Sequence, residues 1–334
     1  MNVRRDKLLK RIDPARQRGL EIGPLDKPIV GRADGDVRYV DFTDADELRR
    51  RHVGTPGVDP ARIVDVDYIW GARRLAEEIG STERFEYVIA SHVVEHVPDL
   101  IGWFDELAEI LRPGGLLSFI VPDKRYTFDR LRPTTEVPEL VDAHLERRRK
   151  PSMKQVFEHY ARHTRVDAAM AWAGTLDEAT LERVHDERFA LEVCREAMTS
   201  GRYVDAHCWV FTPRSFLDLL RVLAEMGLGV FRVVEFFPTV RGEIDFFVTL
   251  ERLHDELDPG ERRAVQLASL MGCRAEGDVP GFGPWSRAVD SGHGWTARLL
   301  RRAAAPVLAS VRAVGAGTSR RWKTMKRYRP VVRS

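Results

Sequence analysis

Two stretches of this chain, 85–97 and 111–122, most strongly constrain its fold, because each contains a continuous apolar run rich in β-branched and aromatic residues. Between them, residues 98–111 have helical periodicity, and the turn Pro113-Gly114-Gly115 introduces the second run. Strands that are buried on both faces of a parallel sheet have sequences of this kind. The segment therefore predicts a strand–helix–strand unit of a parallel sheet.

The same alternation continues on both sides of this unit. Further strands are predicted at 18–23, 37–41, 62–67, 230–237 and 244–250. Further helices are predicted at 43–52, with a capping box at Thr43–Asp46, at 71–79 and at 212–226. Alternating strands and helices are typical of a doubly wound α/β fold.

The alternation is interrupted after the fifth predicted strand, where 153–172 and 177–199 have amphipathic helical spacing. We therefore expect four parts. They are the first part of an α/β core (1–125), a helical insertion (126–204), a closing helix and strand pair (205–255), and a loop-rich extension with a basic tail (256–334).

Several classes of protein are disfavoured by the sequence. No apolar run approaches the roughly 18 residues of a membrane-spanning helix. The basic N-terminus has no apolar stretch behind it, so a secretory signal is not expected. Cys194, Cys208 and Cys273 are far apart and form no Cys-x-x-Cys pair. These features predict a cytoplasmic protein without a disulfide framework.

The basic tail contains eleven Lys and Arg residues between Arg298 and Arg333, and no acidic residue follows Asp290. Three interpretations remain open, namely a disordered solvated tail, an interfacial segment on an anionic membrane surface, and a nucleic-acid-binding arm. The membrane is favoured over nucleic acid because apolar residues cluster there and Trp322 lies among cations. The sequence does not predict an oligomeric state.

The loop His92-Val-Val-Glu95-His96-Val97 and the turn Leu111-Arg-Pro-Gly-Gly115 resemble the segments around the fourth and fifth strands of class I S-adenosylmethionine-dependent methyltransferases of type 11. The resemblance covers 18–125 and returns at 205–252. It implies a mostly parallel, seven-stranded Rossmann-like sheet with a closing antiparallel pair. It also implies S-adenosylmethionine as cofactor and methyl transfer as the reaction.

Ligands of open parallel sheets bind outside the carboxyl ends of the strands, at the switch point. Polar or small residues near the predicted strand ends are Glu21, Gly23, Asp41, Asp65, Asp67, Ser91 and His92. Asp41 follows Glu21 by twenty residues, a spacing that suits a carboxylate bound to ribose hydroxyls. The resemblance implies that Glu21 and Gly23 lie near the methionine part, and that Asp65 or Asp67 faces the adenine amino group.

The first loop helps to distinguish between cofactors. Gly-x-Gly-x-x-Gly is absent from 23–31, and the prolines and glycines of 24–36 leave no room for a helix. A dinucleotide needs the N-terminus of that helix for its pyrophosphate, whereas S-adenosylmethionine has no phosphate. The loop therefore disfavours NAD.

Methyl transfer to a hydroxyl benefits from a general base, and His92 and His207 are the candidates. His92-Val-Val-Glu95-His96 also matches a zinc protease pattern, but Val97-Pro98 interrupts the helix which that pattern needs, so no metal is expected.

The sequence thus predicts methyl transfer to a hydroxyl or amine of a small molecule or glycan, with 126–204 as a lid. The alternatives are a catalytically inactive methyltransferase-like binding module and a glycosyltransferase-associated protein of polysaccharide assembly.

Overall fold

The computed structural model describes residues 3–71, 73–80 and 84–275. Its strands are β1 Gly19–Ile22, β2 Val37–Asp41, β3 Tyr68–Ile69, β4 Phe85–Ser91, β5 Leu111–Pro122, β6 Phe231–Phe237 and β7 Asp245–Arg252. They form one seven-stranded sheet in the order β3-β2-β1-β4-β5-β7-β6. β1 to β5 run parallel, and β7 is antiparallel to both of its neighbours. The predicted mostly parallel sheet with a closing antiparallel pair is confirmed.

The helices are α1 Val3–Leu8, α2 Ala45–Arg51, α3 Leu75–Ile79, α4 Leu100–Ile110, α5 Val137–Leu145, α6 Met153–Ala161, α7 Ala168–Ala173, α8 Glu187–Ser200, α9 Pro213–Glu225 and α10 Pro259–Leu270. Successive residues of a strand point to opposite faces of the sheet. In β4, Val88 and Ala90 join a large apolar cluster with α4 and α9, whereas Tyr87 and Ile89 join a second cluster with α1. The sheet is therefore covered on both faces.

The third strand differs from its prediction. Residues 60–62 form a 3-10 turn, and the strand is only Tyr68–Ile69. Ile63 is buried without pairing in the sheet, and the carboxylate of Asp67 accepts hydrogen bonds from the backbone of Tyr39 and from Arg32. The apolar residues of 62–67 thus reflect loop packing rather than strand pairing. Asp65 and Asp67 precede the strand instead of following it.

The insertion contains more helices than the two predicted. Leu140 and Ala143 of α5 are fully buried in the large cluster, so this helix belongs to the core. α6 and α8 pack around a separate small cluster that includes Val156 and Val193. α7 lies between them in sequence, where one continuous helix was predicted.

The extension also differs from its prediction, because it begins with α10. Asp258 caps this helix by accepting from the backbone N–H of Gly260 and Glu261. Gln266 donates to the carbonyl of Phe231, and the hydroxyl of Ser269 accepts from the N–H of Val233. α10 thereby covers part of β6. The predicted basic tail lies outside the described residues. Within the described residues, no helix is both long and apolar enough to cross a membrane.

The predicted capping box at 43–46 is shifted by one position. The carboxylate of Asp44 accepts a hydrogen bond of 2.8 Å from the N–H of Glu47, which makes Asp44 the N-cap of α2. Asp and Thr are both good N-cap residues, so local propensity alone does not decide between them.

Candidate active site

The switch point of the sheet lies between β1 and β4, which are adjacent although the chain continues from them in opposite directions. Gly23 follows β1 with a φ of 68°, and a Cβ there would lie 3.4 Å from a methyl group of Val93. The loops after β1 and β4 therefore meet at this edge. His92 also has a positive φ, 56°, which is uncommon for a residue with a Cβ. This edge is where a ligand of the sheet would bind.

Glu21 lies inside the first loop rather than facing the crevice. It is 2% exposed, and its two carboxylate oxygens accept from the backbone N–H groups of Ile29 and Val30 at 2.7 and 3.0 Å. Burial raises the pKa of Glu21 to about 7, although these two hydrogen bonds oppose the shift. Glu21 therefore shapes the loop that replaces the usual first helix. Because Glu21 is almost fully buried, its carboxylate offers little surface to a ligand.

Asp41 is the last residue of β2, at the carboxyl edge of the sheet. Its Oδ1 accepts a hydrogen bond of 2.8 Å from the N–H of Phe42. Within the described part of the chain, Oδ2 has no hydrogen-bond partner. Burial raises the pKa of this carboxyl to about 6. Asp41 thus has one oxygen left for a ligand, as a carboxylate that binds ribose hydroxyls requires.

Asp65 and Asp67, expected on the adenine side, are instead paired with arginines. Asp65 lies 2.8 Å from Arg49, and Asp67 lies 2.7 Å from Arg32. Both precede β3, so the expectation that they lie at a carboxyl strand end is wrong. Trp70 follows β3 and donates its N–H to the carbonyl of Asp41 at 2.8 Å, so it occupies the place expected for them.

Ser91 is the last residue of β4 and is half-buried, and His92 follows it. His92 Nδ1 lies 3.4 Å from Glu95 Oε1, and Nε2 lies 2.8 Å from the guanidinium of Arg4. Arg4 in turn pairs with buried Asp245 at 2.9 Å. Burial lowers the pKa of His92, but the hydrogen bond and charge of Glu95 and the charge of Asp245 outweigh burial and raise it. His92 thus contacts charged groups through both ring nitrogens at the end of β4, although its side chain is 39% exposed.

His207 is brought to the same edge from the far side of the insertion. The carbonyl of Glu95 accepts from the backbone N–H of Cys208 at 2.6 Å, which fixes this segment against the turn after β4. The rings of His207 and His96 are 4.7 Å apart. The two candidate bases of the sequence analysis therefore flank one turn, 94–96.

A buried carboxylate and a buried arginine support His207. Asp129 Oδ2 lies 2.5 Å from His207 Nδ1, and Arg132 donates to Asp129 Oδ1 at 2.8 Å. All three residues are less than 9% exposed. Burial opposes ionisation of Asp129, but the hydrogen bond and charge of His207, together with Arg132, hold the pKa of Asp129 well below its usual range. The arrangement fixes the imidazole and leaves its Nε2 for another partner.

His159 completes this group, and its Nδ1 accepts from the backbone N–H of His207 at 3.1 Å. Burial, followed by the charges of His207 and Arg132, lowers the pKa of His159 to about 3, so its ring stays neutral. The sequence analysis missed Asp129, Arg132 and His159 as site residues. Asp129 and His207 are 78 positions apart, and no local pattern links them.

Comparison with known proteins gives a family match over part of the chain. Residues 4–164 match the model of a family described as a methyltransferase domain. No curated protein matches the chain.

Three solved structures are similar to the chain at low sequence identity. The CurJ carbon methyltransferase is 13% identical, with a TM-score of 0.35, and the match covers 74% of this chain and 51% of that one. A protein of Rhodobacter sphaeroides named as a zinc-dependent alcohol dehydrogenase is 14% identical, with a TM-score of 0.42 and coverages of 76% and 91%. The CcbJ methyltransferase of Streptomyces caelestis is 12% identical, with a TM-score of 0.38 and coverages of 75% and 94%. The chain thus spans about half the length of the CurJ protein.

The family match and the sheet together point to the cofactor. The strand order, the antiparallel closing strand and the first loop without a phosphate-binding helix fit S-adenosylmethionine rather than a dinucleotide. Asp41 with its unpaired oxygen at the carboxyl end of β2 fits the ribose of such a cofactor. Residues 4–164 thus belong to a methyltransferase-domain family, and the match and the sheet support S-adenosylmethionine as the cofactor.

Proposed function

We propose that this enzyme transfers the methyl group of S-adenosylmethionine to a hydroxyl group of a small molecule or glycan, and that His207 accepts the proton of that hydroxyl. The buried row Arg132–Asp129–His207 beside the turn after β4 is the observation that carries this proposal.

The chemistry explains why such a row is useful. The sulfonium of S-adenosylmethionine is a reactive methyl donor, so the protein mainly has to hold the acceptor in line with the methyl group. A hydroxyl is a weak nucleophile until its proton is removed. An imidazole whose Nδ1 donates to an ionised carboxylate presents Nε2 as a proton acceptor and is stabilised once it becomes charged. A neutral amine attacks without prior loss of a proton, so the arrangement favours a hydroxyl over an amine.

The cofactor residues follow from the same edge of the sheet. We assign Asp41 to the ribose, because its Oδ2 is available, and Gly23 to the place where the cofactor approaches the backbone. Ser91 and His92 at the end of β4 are assigned to the methionine side. Glu21 is assigned an indirect role through the loop that it holds.

The helical insertion is proposed as the lid over the acceptor. Phe128 stacks on His163 at 4.4 Å between ring centroids, and the ring of Phe189 stacks on His185 at 4.3 Å. Tyr126 and Trp172 form a third stacked pair at 4.1 Å. Flat rings of this kind suit an acceptor with an apolar face, such as a sugar ring or an aromatic alcohol. A lid also excludes water from the reacting groups.

The alternative of an inactive binding module is less well supported. An accessory protein has no need for a buried imidazole held by an ionised carboxylate, and burying such charges is costly. The association with sugar-polymer assembly has no support from Asp65 and Asp67, since arginines occupy both carboxylates.

The test combines binding and turnover. Calorimetric titration should show that the wild type binds S-adenosylmethionine, and labelled cofactor should transfer methyl to members of a panel of hydroxyl acceptors but not to matched amines. His207→Asn keeps a donor toward Asp129 but removes Nε2, so transfer should fall by about 10²–10⁴-fold with cofactor affinity unchanged.

His144→Asn provides a matched control, because His144 pairs with Asp99 at 3.3 Å outside the row. This control should transfer methyl at the rate of the wild type. A wild type that does not bind the cofactor would contradict the proposal, and so would a loss below about threefold in His207→Asn.

A further inference from the structure

We propose that Glu95, His96 and His207 form a binding site for a divalent first-row transition metal ion. One side-chain ligand atom from each of the three residues lies within 4.8 Å of the other two. The first two residues are adjacent in the turn after β4, and the third is brought to them by the backbone hydrogen bond between Cys208 and Glu95.

The buried carboxylate of Glu95 is the feature that most favours a cation at this place. Glu95 is 1% exposed, and within the described residues neither of its oxygens makes a short, well-aligned hydrogen bond. Its nearest charged neighbour is Nδ1 of His92, at 3.4 Å from Oε1. Burying a carboxylate without hydrogen bonds is costly, whereas a bound cation compensates the charge.

Both histidines are held as metal ligands usually are. His207 Nδ1 lies 2.5 Å from the carboxylate of Asp129, and His96 Nδ1 lies 2.8 Å from that of Asp205. A histidine that ligates a metal generally donates its other ring N–H to a carboxylate or carbonyl, which orients the ring and raises its basicity. In both residues, Nε2 is the nitrogen left for an ion.

The ligand set and spacing fit such an ion. Two imidazoles and one carboxylate suit zinc, iron and their neighbours, and leave coordination positions open. Ligand bonds of about 2.0–2.2 Å place two ligand atoms of one ion at most about 4.4 Å apart, so small side-chain rotations close the site. The side chain of His96 is 31% exposed, which gives an ion access from one side.

The sequence pattern His92-x-x-Glu95-His96 did not predict this arrangement. The zinc protease pattern places both histidines on one helical face, but here 94–96 is a 3-10 turn, and Arg4 contacts His92 at 2.8 Å. The third ligand, His207, comes from a segment 111 positions beyond His96.

A metal ion at this site would occupy Nε2 of His207. The ion and the acceptor proton then compete for the same lone pair, so the ion inhibits methyl transfer. This consequence rests on the proposed function, whereas binding of the ion does not.

The test is calorimetric titration of zinc into the full-length protein, freed of metal by dialysis against a chelator. The wild type should bind one equivalent. Glu95→Gln should weaken binding at least about a hundredfold, and Asp205→Asn about 10–100-fold, because Asp205 only orients a ligand. His254→Asn, after the end of β7, should bind zinc like the wild type.

A second measurement uses cobalt, whose visible absorption bands report coordination by these side chains. The wild type and His254→Asn should show the bands, and Glu95→Gln should not. Asp205→Asn keeps the test decisive if Glu95→Gln fails to fold, because the Asp205 side chain is 69% exposed.

No stoichiometric zinc binding by the wild type, or equal binding by the wild type, Glu95→Gln and Asp205→Asn, would overturn the site. Saturating zinc should lower methyl transfer at least about tenfold, and undiminished transfer by the zinc-loaded enzyme would overturn the competition. If no acceptor is methylated at all, the proposed function fails, but the titration still tests the metal site.

Discussion

At the carboxyl edge of the sheet, the charged groups on the two sides of the switch point differ in how far the chain itself pairs them. On the side of β1 to β3, the carboxylates of Glu21, Asp65 and Asp67 are occupied by the chain itself, through backbone N–H groups or arginines. On the side of the insertion, His207 and Glu95 are both buried. Among the described residues, His207 is hydrogen-bonded through Nδ1 and not through Nε2, and the carboxylate of Glu95 has only the 3.4 Å contact with His92.

The difference indicates what each side contributes. The side that we propose for the cofactor is held in shape by these bonds, and Asp41 is its carboxylate with an oxygen still available. The side that we propose for the acceptor keeps polar atoms with few partners at a cost in stability, and such atoms are commonly retained for chemistry. Three substitutions test this contrast.

The largest effect is expected for Asp129→Asn on the acceptor side. The Asn side chain still accepts from Arg132 but turns an NH₂ toward His207 Nδ1, which forces the proton of the imidazole onto Nε2. Methyl transfer should then fall by about 10²–10⁴-fold, as measured with labelled cofactor, while cofactor affinity stays unchanged.

Asp99→Asn is the matched control for this change, because Asp99 contacts His144 and caps α4, which Asn also does well. It should retain the transfer rate of the wild type. If Asp129→Asn lost less than about threefold, His207 would not depend on its carboxylate, and the contrast between the two sides would disappear.

A smaller effect is expected for Asp41→Asn on the cofactor side. Charge-assisted hydrogen bonds contribute roughly 1.5–3 kcal/mol each, so the affinity for S-adenosylmethionine should fall at least about tenfold. The pKa of Asp41 is about 6, and binding needs the ionised carboxylate. Cofactor affinity of the wild type should therefore decrease as the pH falls below about 6, by up to about tenfold per unit.

Titration calorimetry between pH 5 and 8 measures both effects of this change. The fall in affinity below about pH 6 should be smaller in Asp41→Asn than in the wild type, because its amide does not titrate. If cofactor affinity had the same pH dependence in the variant and the wild type, the titrating group would not be Asp41, and the assignment of Asp41 to the ribose would be wrong.

The smallest effect on the cofactor is expected for Glu21→Gln. Both oxygens of Glu21 are bound to the loop, so cofactor affinity at pH 8 should change by no more than about threefold. A loss above tenfold would show that Glu21 touches the cofactor after all.

The same variant has a distinct effect on stability. The pKa of Glu21 is raised to about 7 in the folded state, so the folded protein binds this proton more tightly than the unfolded chain does. The contribution of this group is fully present below about pH 4.5 and is lost as the pH rises through about 7. Denaturant unfolding at several pH values should show this loss in the wild type and a smaller one in Glu21→Gln.

The sequence predicted the sheet well because a strand that is buried on both faces has a continuous apolar run within its own few residues, as β4 does. It placed Asp41 correctly at a strand end for the same reason. The prediction of the third strand at 62–67 was wrong because a strand of two residues has almost no periodicity. The buried Ile63 nearby gives its segment the apolar pattern of a strand. His207 was chosen from its position before α9, but its partner Asp129 depends on how the insertion folds back, which no local pattern records.

The cover that α10 gives to β6 has a consequence for how copies of this protein meet. β6 is the last strand of the sheet, and an uncovered last strand is a template onto which another chain can add a strand of its own. Gln266 and Ser269 already satisfy the carbonyl of Phe231 and the N–H of Val233. The helix thus occupies hydrogen-bonding positions that a strand from another molecule would need. It protects the first half of β6 against edge-to-edge pairing with another copy.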